Sequence, residues 1–151
     1  MIKIICVGKI KESFYREAIQ EYQKRLTKYT KLEIIEVPDS GSKQPRYNQQ
    51  QERDAIMKHL KPKDYIITLE ITGKAYTSEA LAMHIDHLTT HYSNLVFIIG
   101  GSDGLDEQWK TLRHEAISFS NLTFPHQLFR VLLLEQLYRS YKIKNNESYH
   151  K

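Results

Sequence analysis

The chain has 151 residues, of which 40% are hydrophobic and 26% charged, with a formal net charge of +4 and an isoelectric point of about 9.0. That is ordinary for a single globular domain with room for a real core, and no apolar run approaches the roughly 20 residues that span a bilayer. The lone Cys6 excludes an internal disulfide and a Cys/His zinc centre, so no metal is expected; with no leader pattern after Met1, the expected location is cytoplasmic.

Ile2 to Val7 reads as an apolar strand ending at Gly8, with Cys6 as a small buried residue. Glu12 to Leu26 reads as a helix with Phe14, Ala18, Ile19, Tyr22 and Leu26 on one face and basic residues at its end. Leu32 to Val37 is the second strand. After a turn-rich loop, Asn48 to Leu60 is a polar helix with few apolar anchors, expected to be a mobile connection. Tyr65 to Leu69 is the third strand, Glu70 to Ala75 a loop, and Ser78 caps a helix through about Leu88.

Leu95-Val96-Phe97-Ile98-Ile99 is a continuous apolar run, suited to a strand buried on both faces. Gly100-Gly101-Ser102-Asp103-Gly104 follows at once, where ligands bind in open α/β sheets. The turn matches neither G-x-G-x-x-G nor a P-loop, since Ala75 follows Gly73-Lys74 where Ser or Thr is needed. On its own it reads equally well as a plain turn. Asp106 to Glu115 reads as a helix and Ala116 to Phe119 as a fifth strand. Between Leu128 and Leu134 only Arg130 is polar, so the last helix must be covered on more than one side. Five strands alternating with helices give an α/β fold with a mostly parallel sheet.

Several separated pieces carry a resemblance over essentially the whole chain. They are Ile5-Cys6-Val7-Gly8-Lys9, Thr68-Leu69-Glu70 with Gly73-Lys74, Ile98 to Leu105, Ser118-Phe119-Ser120 with Thr123-Phe124-Pro125-His126-Gln127, the helix from Arg130-Val131 to Tyr138-Arg139, and the ending Tyr149-His150-Lys151. Together they resemble the ribosomal RNA large subunit methyltransferase H family of the SPOUT superfamily. The resemblance implies one domain over residues 1–151, with a deep trefoil knot and cofactor region over about 66–143 and a tail over 144–151. It implies a homodimer, S-adenosyl-L-methionine as cofactor, and methylation of N3 of a pseudouridine at position 1915 of 23S rRNA in the ribosome. Neither DNA nor membrane is an implied partner. Sequence physics alone would not propose the knot.

By the same resemblance, Leu69, Gly100, Phe119, Ser120, Asn121, Leu122, Thr123 and Phe124 bind the cofactor. This is chemically sensible, because adenine wants an apolar slot edged by main-chain groups. Pseudouridine N3 is protonated at neutral pH, so a base or an anion stabiliser should lie near it. His126, Arg130, Tyr149 and His150 are the catalytic candidates. Asp103 and Glu135 read better as a turn stabiliser and as a helical partner of Arg139. His126 reads equally as helix-start packing. Arg139, Lys142 and Lys151 are candidates for RNA phosphate. Tyr149 could stack on a base, although a three-residue tail is by default a frayed end. Two rival readings remain: a catalytically silent RNA-binding module of the same fold, and a flavodoxin-like nucleotide binder.

Overall fold

The computed structural model describes residues 1–151. The elements are β1 (Ile2–Val7), α1 (Ser13–Leu26), β2 (Leu32–Val37), α2 (Pro45–Met57), β3 (Tyr65–Ala75), α3 (Ser78–His91), β4 (Leu95–Ile99), α4 (Trp109–Leu112), β5 (Glu115–Ser118) and α5 (His126–Lys144). The strands form one sheet in the order β2-β1-β4-β3-β5, and every pair is parallel.

The alternation of side chains along a strand divides the core in two. Ile2, Ile4 and Cys6 of β1, with Leu95, Phe97 and Ile99 of β4, face α1, α3 and α5. Ile5 and Val7, with Val96 and Ile98, face the layer holding Ile56 of α2 and Trp109 of α4. Apolar side chains on both faces explain why β4 reads as a continuous apolar run and why β1 is apolar but for Lys3, whose Nζ donates to the His59 carbonyl at 3.0 Å. Burial pushes the Cys6 thiol up to about 12, so it is a packed thiol and not a nucleophile.

Four elements differ from the sequence reading. β3 does not stop at Leu69. Leu69 and Lys74 both pair with Ile117, so residues 70–73 form a bulge within one long strand. Gly73 is what permits it: a Cβ there would lie 2.7 Å from the backbone of Ala116 and Ile117. The expected helix over Asp106 to Glu115 shrinks to the four residues of α4, because His114 is drawn to the sheet edge, where its Nδ1 accepts from Ile66 N–H at 2.9 Å. α2 begins earlier, with Pro45 in its first turn. α3 is capped by Thr77, whose hydroxyl accepts from Ala80 N–H at 3.0 Å, and not by Ser78.

Candidate active site

The carboxyl ends of β3 and β4 and the segment from β5 into α5 enclose a cavity of about 690 Å³. Parallel strands leave such a crevice where the chains diverge into loops. The bulge of β3 carries Glu70, Ile71 and Thr72 over one side. Gly100, Gly101, Ser102, Gly104 and Leu105 form the floor, and Phe119, Ser120 and residues 122–126 form the other wall.

Of the cofactor candidates, Leu69, Gly100, Phe119, Ser120, Leu122, Thr123 and Phe124 line this cavity, and so does His126. Asn121 is exposed and lies outside the lining. Gly100 is also required locally: a Cβ on it would sit 3.1 Å from both Gly104 and the Leu105 side chain. Gly104, at φ +75°, supplies the left-handed position that reverses the turn.

Glu70, Ile71, Thr72, Leu105 and Phe129 also line the cavity, beyond the residues expected from the sequence. Glu70 is fixed by Arg113, whose Nη1 donates to its carboxylate at 2.8 Å, and by the Thr68 hydroxyl. Phe129 packs between Phe119 and Phe124, at ring separations of 5.1 and 6.3 Å. Its signal was present in helical spacing: His126 and Phe129 are three apart and share a face of α5.

Arg130, one residue further on, is taken up elsewhere. It is 3% exposed; Nη1 pairs with Glu36 at 2.6 Å, and Nη2 donates to the carbonyls of Val7 and Gly8. It therefore ties α5 to the ends of β1 and β2, and its Nε has no partner. Burial first, then the positive charge of Arg130, holds the His126 imidazole below its usual range, against a smaller pull from Asp39. The ring is thus neutral near pH 7 and can accept a proton.

The remaining candidates gather at the other half of α5. Arg139 donates to Glu135 at 2.9 Å from Nε, and its guanidinium lies 4.8 Å from the centre of the Tyr149 ring. The Tyr149 hydroxyl donates to Glu135 at 3.1 Å, and its ring meets Tyr138 edge-on at 4.9 Å. His150 lies 3.0 Å from Arg139 and 2.6 Å from Glu79. Lys142 is 3.2 Å from Glu147, and Lys151 is exposed. The tail is therefore a docked segment and not a frayed end. His126 and Arg139 are thirteen residues apart, or ~20 Å along a helix axis. The tail cluster is distinct from this chain's own cavity, and none of its residues lines it.

Asp103 is also absent from the lining. Its carboxylate accepts from Asn48 Nδ2 at 2.9 Å.

Two comparisons match this chain. Residues 1–150 match the family model described as "Predicted SPOUT methyltransferase". A protein of Methanococcus maripaludis strain C5, named "Putative ribosomal RNA large subunit methyltransferase H", is 48% identical over 157 residues, covering 99% of each chain. With both matches spanning the fold, the chain belongs to the SPOUT methyltransferase family, among the ribosomal RNA large subunit methyltransferase H proteins.

Proposed function

We propose that the protein methylates N3 of a pseudouridine in 23S rRNA, at position 1915, using S-adenosyl-L-methionine. The observation that carries this reading is the convergence of three chain segments on one cavity at the carboxyl edge of a parallel sheet, in a chain of this family. The cavity fits the cofactor in size and chemistry. Its volume of about 690 Å³ falls in the range for small-molecule sites. Leu69, Leu105, Phe119, Leu122 and Phe124 offer apolar surface to an adenine. Glu70, Thr72, Ser102, Ser120 and Thr123 offer polar groups to ribose hydroxyls and an amino-acid moiety.

When bound, the cofactor supplies an electrophilic sulfonium methyl, so no covalent enzyme intermediate is required. The protein's part is to orient the acceptor and manage the N3 proton. His126 is the base candidate that lines the cavity, and its neutral state suits the task. Burial chiefly keeps that imidazole neutral, and the positive charge of Arg130 adds to it. Tyr149, His150, Arg139, Lys142 and Lys151 form an aromatic and cationic group suited to an RNA base and its phosphates.

That group lies along α5, away from its own chain's cavity, so the reading includes a homodimer in which each tail serves the partner's cavity. Leu128, Val131 and Leu132, spaced three and four apart on α5, are only half-buried in the single chain. They are the surface such a partner would cover. The reading also includes the family's trefoil knot and a cytoplasmic location.

The test uses large ribosomal subunits and whole ribosomes lacking the modification. Tritium should pass from labelled S-adenosyl-L-methionine to one nucleotide of 23S rRNA, mapped to pseudouridine 1915. Cofactor binding with no transfer to either substrate would select the silent RNA-binding module instead.

A further inference from the structure

By its sequence α2 is a polar helix with few apolar anchors, yet its packing is tight. Asn48 and Glu52 are buried, at 3% and 4% exposure. Asn48, Gln49, Glu52 and Arg53 recur at intervals of one, three and four, which places them along one side of the helix. That side meets the outer surface of the glycine turn. Asn48 Nδ2 donates to the Asp103 carboxylate at 2.9 Å. Gln49 Nε2 donates to the Asp103 carbonyl at 2.7 Å. Arg53 Nη1 pairs with Asp106 at 2.7 Å. Glu52 lies directly under Gly101, where an added Cβ would come 3.2 Å from its Oε1.

Within itself the turn has little to hold it. Gly104 N–H donates to the Gly101 carbonyl at 3.0 Å, and three of its five residues are glycines, which cost the most conformational entropy to fix. The bonds from α2 grip the turn from behind, on both sides of Gly104, while its front forms the cavity floor. Side-chain amides and a guanidinium make directional bonds, so they fix shape as well as proximity.

We propose that α2 is a clamp for the cofactor turn, with Asn48, Gln49 and Arg53 as positioning residues that preorganise Gly101–Asp106 and thereby set cofactor affinity. The proposal rests on the reading that this cavity holds S-adenosyl-L-methionine. A turn released from the clamp samples other shapes, and the measured affinity falls by the fraction of time it is competent. The chemical step, once the cofactor is seated, is touched far less.

The test is a double-mutant cycle on cofactor affinity in the full-length protein. Asn48→Ala, Asp103→Ala, the double variant and Gln49→Ala are titrated with S-adenosyl-L-methionine by calorimetry, with folding checked by circular dichroism. Each single variant should bind at least fivefold more weakly. The double variant should bind no more than about twofold more weakly than Asn48→Ala, because that single already removes the bond to Asp103, along with those from Asn48 to Ser42. Turnover at saturating cofactor should stay within threefold. Unchanged affinity in Asn48→Ala and Gln49→Ala, or full additivity in the cycle, overturns the clamp. Failure of the unsubstituted protein to bind the cofactor overturns the underlying reading, and the clamp with it.

Discussion

Two side chains, the buried Glu52 and the half-buried His126, give the cavity region a dependence on pH, with opposite signs. Burial pushes the Glu52 carboxyl up to about 7, aided by the negative charges of Asp39 and Asp103 and opposed by a hydrogen bond from Ser40 N–H. The folded protein therefore holds a proton that the unfolded chain has already released above about 4.5. Between those values the unfolded state binds fewer protons, so stability falls as pH rises. Glu52→Gln should flatten that slope and leave the protein more stable at pH 8, by on the order of 2 kcal/mol, measured by urea denaturation at pH 5 and pH 8. A steeper slope in the variant would contradict the assignment. His126 runs the other way. Its lowered pKa means the unfolded chain takes up a proton first as pH falls, so its contribution to stability is lost below its ordinary pKa. Turnover should follow the same neutral imidazole and decline on the acid side. His126→Asn should keep cofactor affinity within threefold and lower the rate by roughly 10²-fold or more. A pH–rate profile unchanged in that variant would remove His126 from the chemistry.

At the scale of elements, the bulge in β3 is the feature on which the cavity depends. The strand is pinned to β5 on both sides of the break, at Leu69 and Lys74, and the residues between are displaced over the site. Gly73→Ala would force a Cβ to within 2.7 Å of main-chain atoms that cannot rotate away. A loss of about 2–4 kcal/mol is expected, as for other substitutions that force a side chain into packed backbone. Gly41→Ala, where nothing lies within 4 Å of the added atom, should be near neutral. Equal denaturation midpoints for the two would show that the bulge tolerates a side chain. Gly100 is a less clean probe of cofactor contact, because a side chain there meets Leu105 and Gly104 before any ligand.

At the scale of the whole molecule, α5 has two unlike apolar faces. Leu133, Leu134 and Leu137 are at most 1% exposed and belong to the core of this chain. Leu128, Val131 and Leu132 are only half-buried. A charge at Leu133 should unfold the protein by several kcal/mol. Leu132→Arg should leave the fold intact and halve the mass seen by light scattering at micromolar concentration. A monomer in the unsubstituted protein would contradict the proposed dimer. Deleting residues 149–151 removes the edge-on contact with Tyr138 and the bonds to Glu135 and Glu79. It should cost ~1 kcal/mol of stability and leave cofactor binding unchanged, while methyl transfer to ribosomes falls by orders of magnitude. Near-normal turnover would reduce the tail to a packing element.

The sequence by itself determined the layered α/β plan. The continuous apolar run Leu95–Ile99, and Ile2–Val7 with only Lys3 to interrupt it, suit strands covered on both faces, and the glycines after Ile99 mark a chain reversal at the sheet's carboxyl edge. It also carried the cavity's far wall, since Phe119 to Phe124 is an apolar and polar mixture between two well-marked elements. Only the tertiary structure decided the rest. The strand order, the bulge at Gly73 and the truncation of α4 follow from which edge of the sheet each segment meets, and local pattern carries no such information. Arg130 looks like a site residue by its neighbours in the chain, yet its guanidinium is claimed by carbonyls more than 120 residues away. The polar residues of α2 look like a solvated surface for the same reason: their partners lie on the glycine turn more than 50 residues on. Hydrogen bonds between distant segments have no period in the sequence, and they fix the shape of this site.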